Sequence, residues 1–402
     1  MHKLSDAVRY STKKIDADEV SLHNFVSTDN LLQNKGGVTL ATSLPPGNSS
    51  MSAFECDEVL VSNIRPYLKK IWFSNKSGGC SADVLVFEVF KDYNPKFIYY
   101  CLFRDDFFDH MMRGAKGTKM PRGDKNQIMS FLIPSFELDS QEKIVAVLSS
   151  LDNKIELNNL INTELEAMAK TLYDYWFVQF DFPDANGKPY KTSGGKMVYN
   201  VALKREIPEG WEVSELRNLV DVVKGNISPA DILPTTPYVG LEHIGRKTIV
   251  LSDWTTSDTA SSDKTVFKKH DILFGKIRPY FHKVAVALFD GITSTDTILL
   301  RPKKSEYFGL ALETVFTEKF VNTATSSSTG SKMPRADWNV LQHYKIPVPD
   351  LPLLQNYQEL FDKMLAKIEI SVIESRKLTL LRDWLLPMLM NGQVVVANKV
   401  EI

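Results

Sequence analysis

The sequence holds 402 residues, more than one compact core usually organises, so at least two domains are expected. Hydrophobic residues at 43% and charged residues at 24% exclude a disordered, collagen-like or disulfide-scaffold chain. Lys plus Arg number 48 against 49 Asp plus Glu, a net charge of −1, so no bulk basic excess marks a nucleic-acid binder and any such role must rest on local patches.

In chain order, Met1-His2-Lys3-Leu4 opens without an apolar signal core. Phe54 to Lys70, FECDEVLVSNIRPYLKK, is followed by strand-like Val84-Leu85-Val86-Phe87 and then by Gly117 to Asn126, GTKMPRGDKN. Asp139 or Ser140 is placed to cap a helix, with Glu142 completing a capping box behind Asp139. Ile144, Leu148, Leu151, Ile155, Asn158, Asn162, Leu165, Ala169, Leu172 and Trp176 then recur at alternating spacings of four and three, a heptad seam. Such a helix runs roughly 50–55 Å, too long for one domain's core. Asp181 to Asn200, rich in Gly, Pro and polar side chains, reads as a loop or linker.

After that linker the chain repeats itself. Phe267 to Lys283, FKKHDILFGKIRPYFHK, matches the first segment at 7 of 17 positions. Gly330 to Asn339, GSKMPRADWN, matches the second at 7 of 10, and both lie at the same offset of 213 residues. Asp83 faces Asp296 and Ile133-Pro134 faces Ile346-Pro347 at that spacing, as does Lys154-Ile155-Glu156-Leu157 with Lys367-Ile368-Glu369-Ile370. The second helix shows a comparable stripe at Leu365, Ile368, Val372, Leu378, Leu381 and Leu385. The fold class is therefore α+β: two repeated modules of strands and short helices, each followed by a long helix, the two long helices pairing antiparallel as a coiled coil. The expected boundaries are 1–136, helix 137–180, linker 181–206, 207–350, and 351–402 for the second helix and tail. The first copy begins three residues before Leu4, the counterpart of Leu216, so it is expected to lack the opening strand that follows Gly210-Trp211 in the second.

Catalytic patterns are missing from the linear sequence. No GxxxxGK[ST] or GxGxxG is present, and Asn94-Pro95-Lys96-Phe97 departs from an amino-methyltransferase tetrapeptide at lysine. No glutamate is followed two residues later by lysine, and Cys56, Cys80 and Cys101 form no CxxC pair, so neither a metal-dependent nuclease nor a structural zinc site is expected. No run approaches a membrane span, and the thiols suit the cytoplasm.

Binding is the class that remains. Ile64-Arg65-Pro66-Tyr67 and Ile277-Arg278-Pro279-Tyr280 read either as strand ends at proline-fixed turns or, with Lys69, Lys70, Lys276, His282 and Lys283, as basic strips suited to phosphate. The exposed-loop composition around Arg113, Lys116, Lys119, Arg122, Lys125, Lys332 and Arg335 carries the same expectation. Residues identical in both copies should serve fold or phosphate contacts. Base readers should differ, as Asn63 differs from Lys276 and Gly123-Asp124-Lys125 from Ala336-Asp337-Trp338.

With these segments, SQEKIVAVLSSLDNKIELNN after the first copy and LLRDWLLPMLMNGQV near the C-terminus, nearly the whole chain resembles the specificity subunit of type I restriction-modification enzymes. The resemblance implies that each copy recognises one part of an asymmetric bipartite site in double-stranded DNA. It further implies that the helices form the spacer and dock two methyltransferase subunits, with restriction subunits joining through them. The chain would itself be non-catalytic, with S-adenosylmethionine, ATP and Mg acting in partner subunits. The rival reading is a duplicated protein-binding scaffold without a DNA role.

Overall fold

The computed structural model describes residues 1–396 except 46, 48 and 258–261; the end of the expected tail, 397–402, lies outside the described residues. The chain divides into two units, Met1–Lys154 with Leu378–Ile402, and Ile155–Lys377.

In the first unit, four antiparallel strands pair in the order Val8–Tyr10, Val84–Val89, Val59–Ser62, Ile71–Phe73. A second sheet orders Lys14–Asp16, Ser50–Phe54, Gly78–Cys80 and Phe25–Val26, the last pair parallel. The run Val59–Ser62 is buried throughout because the first sheet is covered on both faces. Leu60, Val84 and Val86 pack with Phe54, Cys80 and Val26 of the second sheet. Val59, Val61, Leu85 and Phe87 turn the other way, onto helices Pro95–Phe103 and Asp105–Arg113 and onto Ile144, Leu148, Leu386, Leu389 and Met390 of the long helices. Asn94 Oδ1 accepts the N–H groups of Lys96 and Phe97, so Asn94-Pro95-Lys96-Phe97 is a helix start.

The second unit repeats these pairings and adds a fifth strand, Thr255–Thr256, beside Pro237–Val239. Val59 faces Phe87 and Ile272 faces Leu300; Phe25 pairs with Gly79 in parallel and Tyr238 with Ile292. Its helices Phe308–Phe316 and Glu318–Ser326 cover the same sheet face. The opening strand of the first unit is present after all: His2–Lys3 pairs with Leu132–Ile133, a two-residue version of Glu212–Glu215 on Lys345–Val348.

Both long helices form, Leu138–Tyr173 and Leu351–Met390, and no described helix is long and apolar enough to cross a membrane. The first begins before Asp139 and Ser140, which lie inside its first turn instead of capping it. Within the second unit the two run antiparallel, with Asn158 Nδ2 donating to Glu374 at 2.7 Å and Trp176 and Phe177 against Tyr357. Within the first unit Arg382 donates to Asp152 Oδ1 at 2.9 Å, and Asp152 also accepts from the Tyr100 hydroxyl at 2.7 Å.

Two expectations are corrected. Leu381 is exposed and Leu378 and Leu385 are half-buried; Ser375, Thr379, Arg382, Leu386 and Leu389 continue the spacing from Leu365, Ile368 and Val372. Residues 181–206 are no loose linker. Met197–Asn200 and Arg205–Pro208 form a hairpin, and Phe182 stacks between Tyr190 and Trp211 on the second unit's core.

Candidate functional site

In each unit the two sequence motifs come together. The strand Val59–Ser62 ends at Asn63-Ile64, and Arg65 enters a left-handed backbone (φ 48°) before the single 3-10 turn Pro66–Leu68, which Lys69 closes at φ 50°. Arg278 (φ 49°) and His282 (φ 51°) bracket Pro279–Phe281 identically. Proline fixes its own φ and pushes its predecessor out of the right-handed helical region. A non-glycine residue held left-handed costs on the order of 1 kcal/mol or more, and here two such residues recur at the same places.

The Lys-Met-Pro-Arg loop is pinned to that turn. Arg65 N–H donates to Pro121 O and Arg278 N–H to Pro334 O, both at 2.7 Å. Lys116 and Arg122 exchange backbone bonds across the loop at 3.0 and 2.9 Å, as Thr329 and Arg335 do, with Gly117 and Gly330 supplying φ of 95° and 96°. Asp83 pairs with the Arg122 guanidinium, and Asp296 lies 3.9 Å from that of Arg335.

Several expected contact residues are already engaged. Lys70 donates to Thr28 O and Lys283 to Leu241 O, and burial holds both ammonium groups below their usual pKa. Lys69 pairs with Asp105 at 2.8 Å; its counterpart His282 is buried, bonded to Phe316 O, and shifted down by burial. Lys116 lies 3.5 Å from Asp124. Arg65, Arg113, Lys119, Lys125 and Lys332 are exposed, while Arg278 and Lys276 are half-buried.

Among the expected base readers, Asn63 is buried against Gly123, where a Cβ would lie 2.8 Å from Asn63 Oδ1; Ala336 fits because Lys276 replaces that asparagine. Asp124 and Asp337 are helix caps, and Trp338 packs on the core. Lys125 stays open, its Nζ 5.4 Å from the Tyr10 ring centroid. The sequence reading missed Lys35, whose N–H donates to Lys69 O, and Arg246, whose guanidinium sits 4.0 Å from the Phe281 ring centroid. For Arg246 the available signal was the basic pair Arg246-Lys247 after Gly245, which faces Gln33-Asn34 at the repeat offset.

Among the described residues, no three His, Cys, Asp or Glu side chains gather as a metal site. What the two turn-and-loop assemblies offer is recognition: exposed cations and aromatic edges on a fixed backbone.

The family model described as "Type I restriction modification DNA specificity domain" matches residues 16–167 and 208–378. The chain belongs to that family. As a type I specificity subunit it is similar to the MjaIX specificity subunit of Methanocaldococcus jannaschii, 24% identical over 314 residues, covering 75% of this chain and 69% of that one. The HindI specificity subunit of Haemophilus influenzae is 20% identical, with 98% and 99% covered. A crystal structure of the type I restriction-modification S subunit from M. genitalium shares the fold, with a TM-score of 0.56 at 15% identity over 97% of this chain and 95% of that one.

Proposed function

We propose that this specificity subunit gives a type I complex its DNA target, each module recognising one half of an asymmetric bipartite duplex site and the paired helices acting as spacer. The observation that carries this reading is the duplicated turn-and-loop assembly: the same backbone at one offset, surrounded by side chains that differ between copies. Two methyltransferase subunits dock on the helices. In support, Leu380, Leu381 and Trp384 are exposed in the first unit, and their repeat counterparts Ala167, Met168 and Thr171 are exposed in the second. There, with Leu172, Tyr175, Leu360 and Met364, they line a groove of about 650 Å³. Apolar surface of this kind on a helix pair suits a protein partner. The subunit performs no chemistry; methylation with S-adenosylmethionine and cleavage driven by ATP and Mg belong to partner subunits, in the cytoplasm.

Reconstitution with the methyltransferase and selection from random duplexes tests this. Two short motifs at a fixed gap are expected, and replacing residues 211–350 by the first module should make the site symmetric. An absence of enrichment would favour the scaffold without a DNA role.

A further inference from the structure

Four exposed side chains recur at the same positions in both units. Tyr67 and Tyr280 are 50% and 51% exposed at the tips of the left-handed turns. Met120 and Met333, 50% and 45% exposed, stand in the loops pinned to those turns, each preceded by an exposed lysine, Lys119 or Lys332. Apolar and aromatic groups held open on strained, doubly anchored backbone point to a contact outside the chain. Side chains that are the same in two modules cannot discriminate between two different half-sites.

Resting on the DNA reading above, we infer that each module carries one sequence-independent grip on the duplex backbone. Lys119 or Lys332 meets a phosphate, and the tyrosine and methionine beside it pack along the deoxyribose edge. Phosphate and sugar contacts set register and orientation without carrying sequence information. The grip therefore presents the variable surface of each module to its own half-site at one fixed depth and angle. The engaged groups agree with this division: Lys70 and Lys283 reach backbone carbonyls behind the turn, and Asp83 and Asp296 lie against Arg122 and Arg335 of the loop, leaving lysine, tyrosine and methionine outward.

The test uses the complex of the full chain with its methyltransferase subunits, comparing wild type with Lys119→Ala/Lys332→Ala and with Tyr67→Ala/Tyr280→Ala. Affinity is measured on target and unrelated duplexes across a salt series, and the modified site is mapped. Both variants should weaken binding to the two duplexes by the same factor, the lysine pair should lower the salt slope by roughly one for each lysine removed, and the mapped site should stay the same. Unchanged affinity, a loss confined to the target duplex, or an altered site overturns the grip. So does an equal loss in Lys188→Ala, an exposed lysine elsewhere. If the tyrosine variant melts early, the exposed lysine pair decides alone. A wild-type complex that selects no motif refutes the DNA reading and the grip with it; selection by wild type with unaltered variants refutes the grip alone.

Discussion

Glu313 shows how far one residue can depart between copies. Its counterpart at the repeat offset is Tyr100, whose hydroxyl meets Asp152. In the second unit the carboxyl is buried with Oε1 unpartnered, and burial, reinforced by Glu166 and Asp174, pushes its pKa up to about 8. The unfolded carboxyl ionises near 4.5, so the folded chain holds the extra proton between those values. Stability contributed by the neutral form is therefore full below pH 4.5 and lost as pH rises towards 8, by up to about 1.4 kcal/mol per pH unit. Glu313→Gln, neutral at every pH, should melt higher than wild type at pH 8 and converge with it near pH 5; parallel melting curves across that range would refute this account. The small core between the sheets varies in a different way. Trp72 faces Ala285 at the offset, and Trp254 and Phe289, with ring centroids 4.4 Å apart, fill the lost volume.

Sheet pairing depends on glycine at one repeated place. A Cβ on Gly78 would lie 2.0 Å from Asn24 O, and one on Gly291 2.6 Å from Pro237 O, each beside the parallel strand pair. Gly78→Ala and Gly291→Ala should each lower stability by about 1–3 kcal/mol or more in urea unfolding. Leu381→Gln, at an exposed helix position, should shift it by less than about 0.5 kcal/mol. The first seam is legible in the sequence because Ile144, Leu148 and Ala169 are apolar where the period needs them. Asn158 and Asn162 are also buried on it, as register-setting residues would be. The second seam is misread after Val372 because Ser375, Thr379 and Arg382 occupy it. Leu378, Leu381 and Leu385 attract the eye one helical position away, whereas Arg382 turns inward to Asp152 across the pair and over the Phe103 ring. At the turn-and-loop assembly, motif positions are legible, but the engagement of Lys70 and Lys283 is not. Their acceptors are backbone carbonyls, which leave no mark on sequence.

For the whole molecule, duplication makes stoichiometry testable. If each unit's helix pair receives one methyltransferase, Trp384→Glu should remove one partner and Met364→Glu the other, each leaving a complex with a single partner in native mass spectrometry. The doubly substituted chain should bind neither. Loss of both partners from either single variant would mean that the faces do not act separately. Acidic and basic side chains nearly balance along the chain, and several meet in ion pairs such as Arg301 with Asp271 and Lys269 with Glu369.

The first unit closes only with residues from the far end of the chain. Leu386, Leu389 and Met390 join its core, and Met390 Sδ lies 3.8 Å from Cys101 Sγ. More than two hundred residues of the second unit intervene. During synthesis the module that emerges first therefore waits, roughly 10–45 s at ordinary elongation rates, for the helix turns that complete it. The second unit, encoded in one stretch, can finish earlier. A premature stop anywhere before Leu386 would thus be felt at the opposite end of the polypeptide, in a module whose own codons are intact.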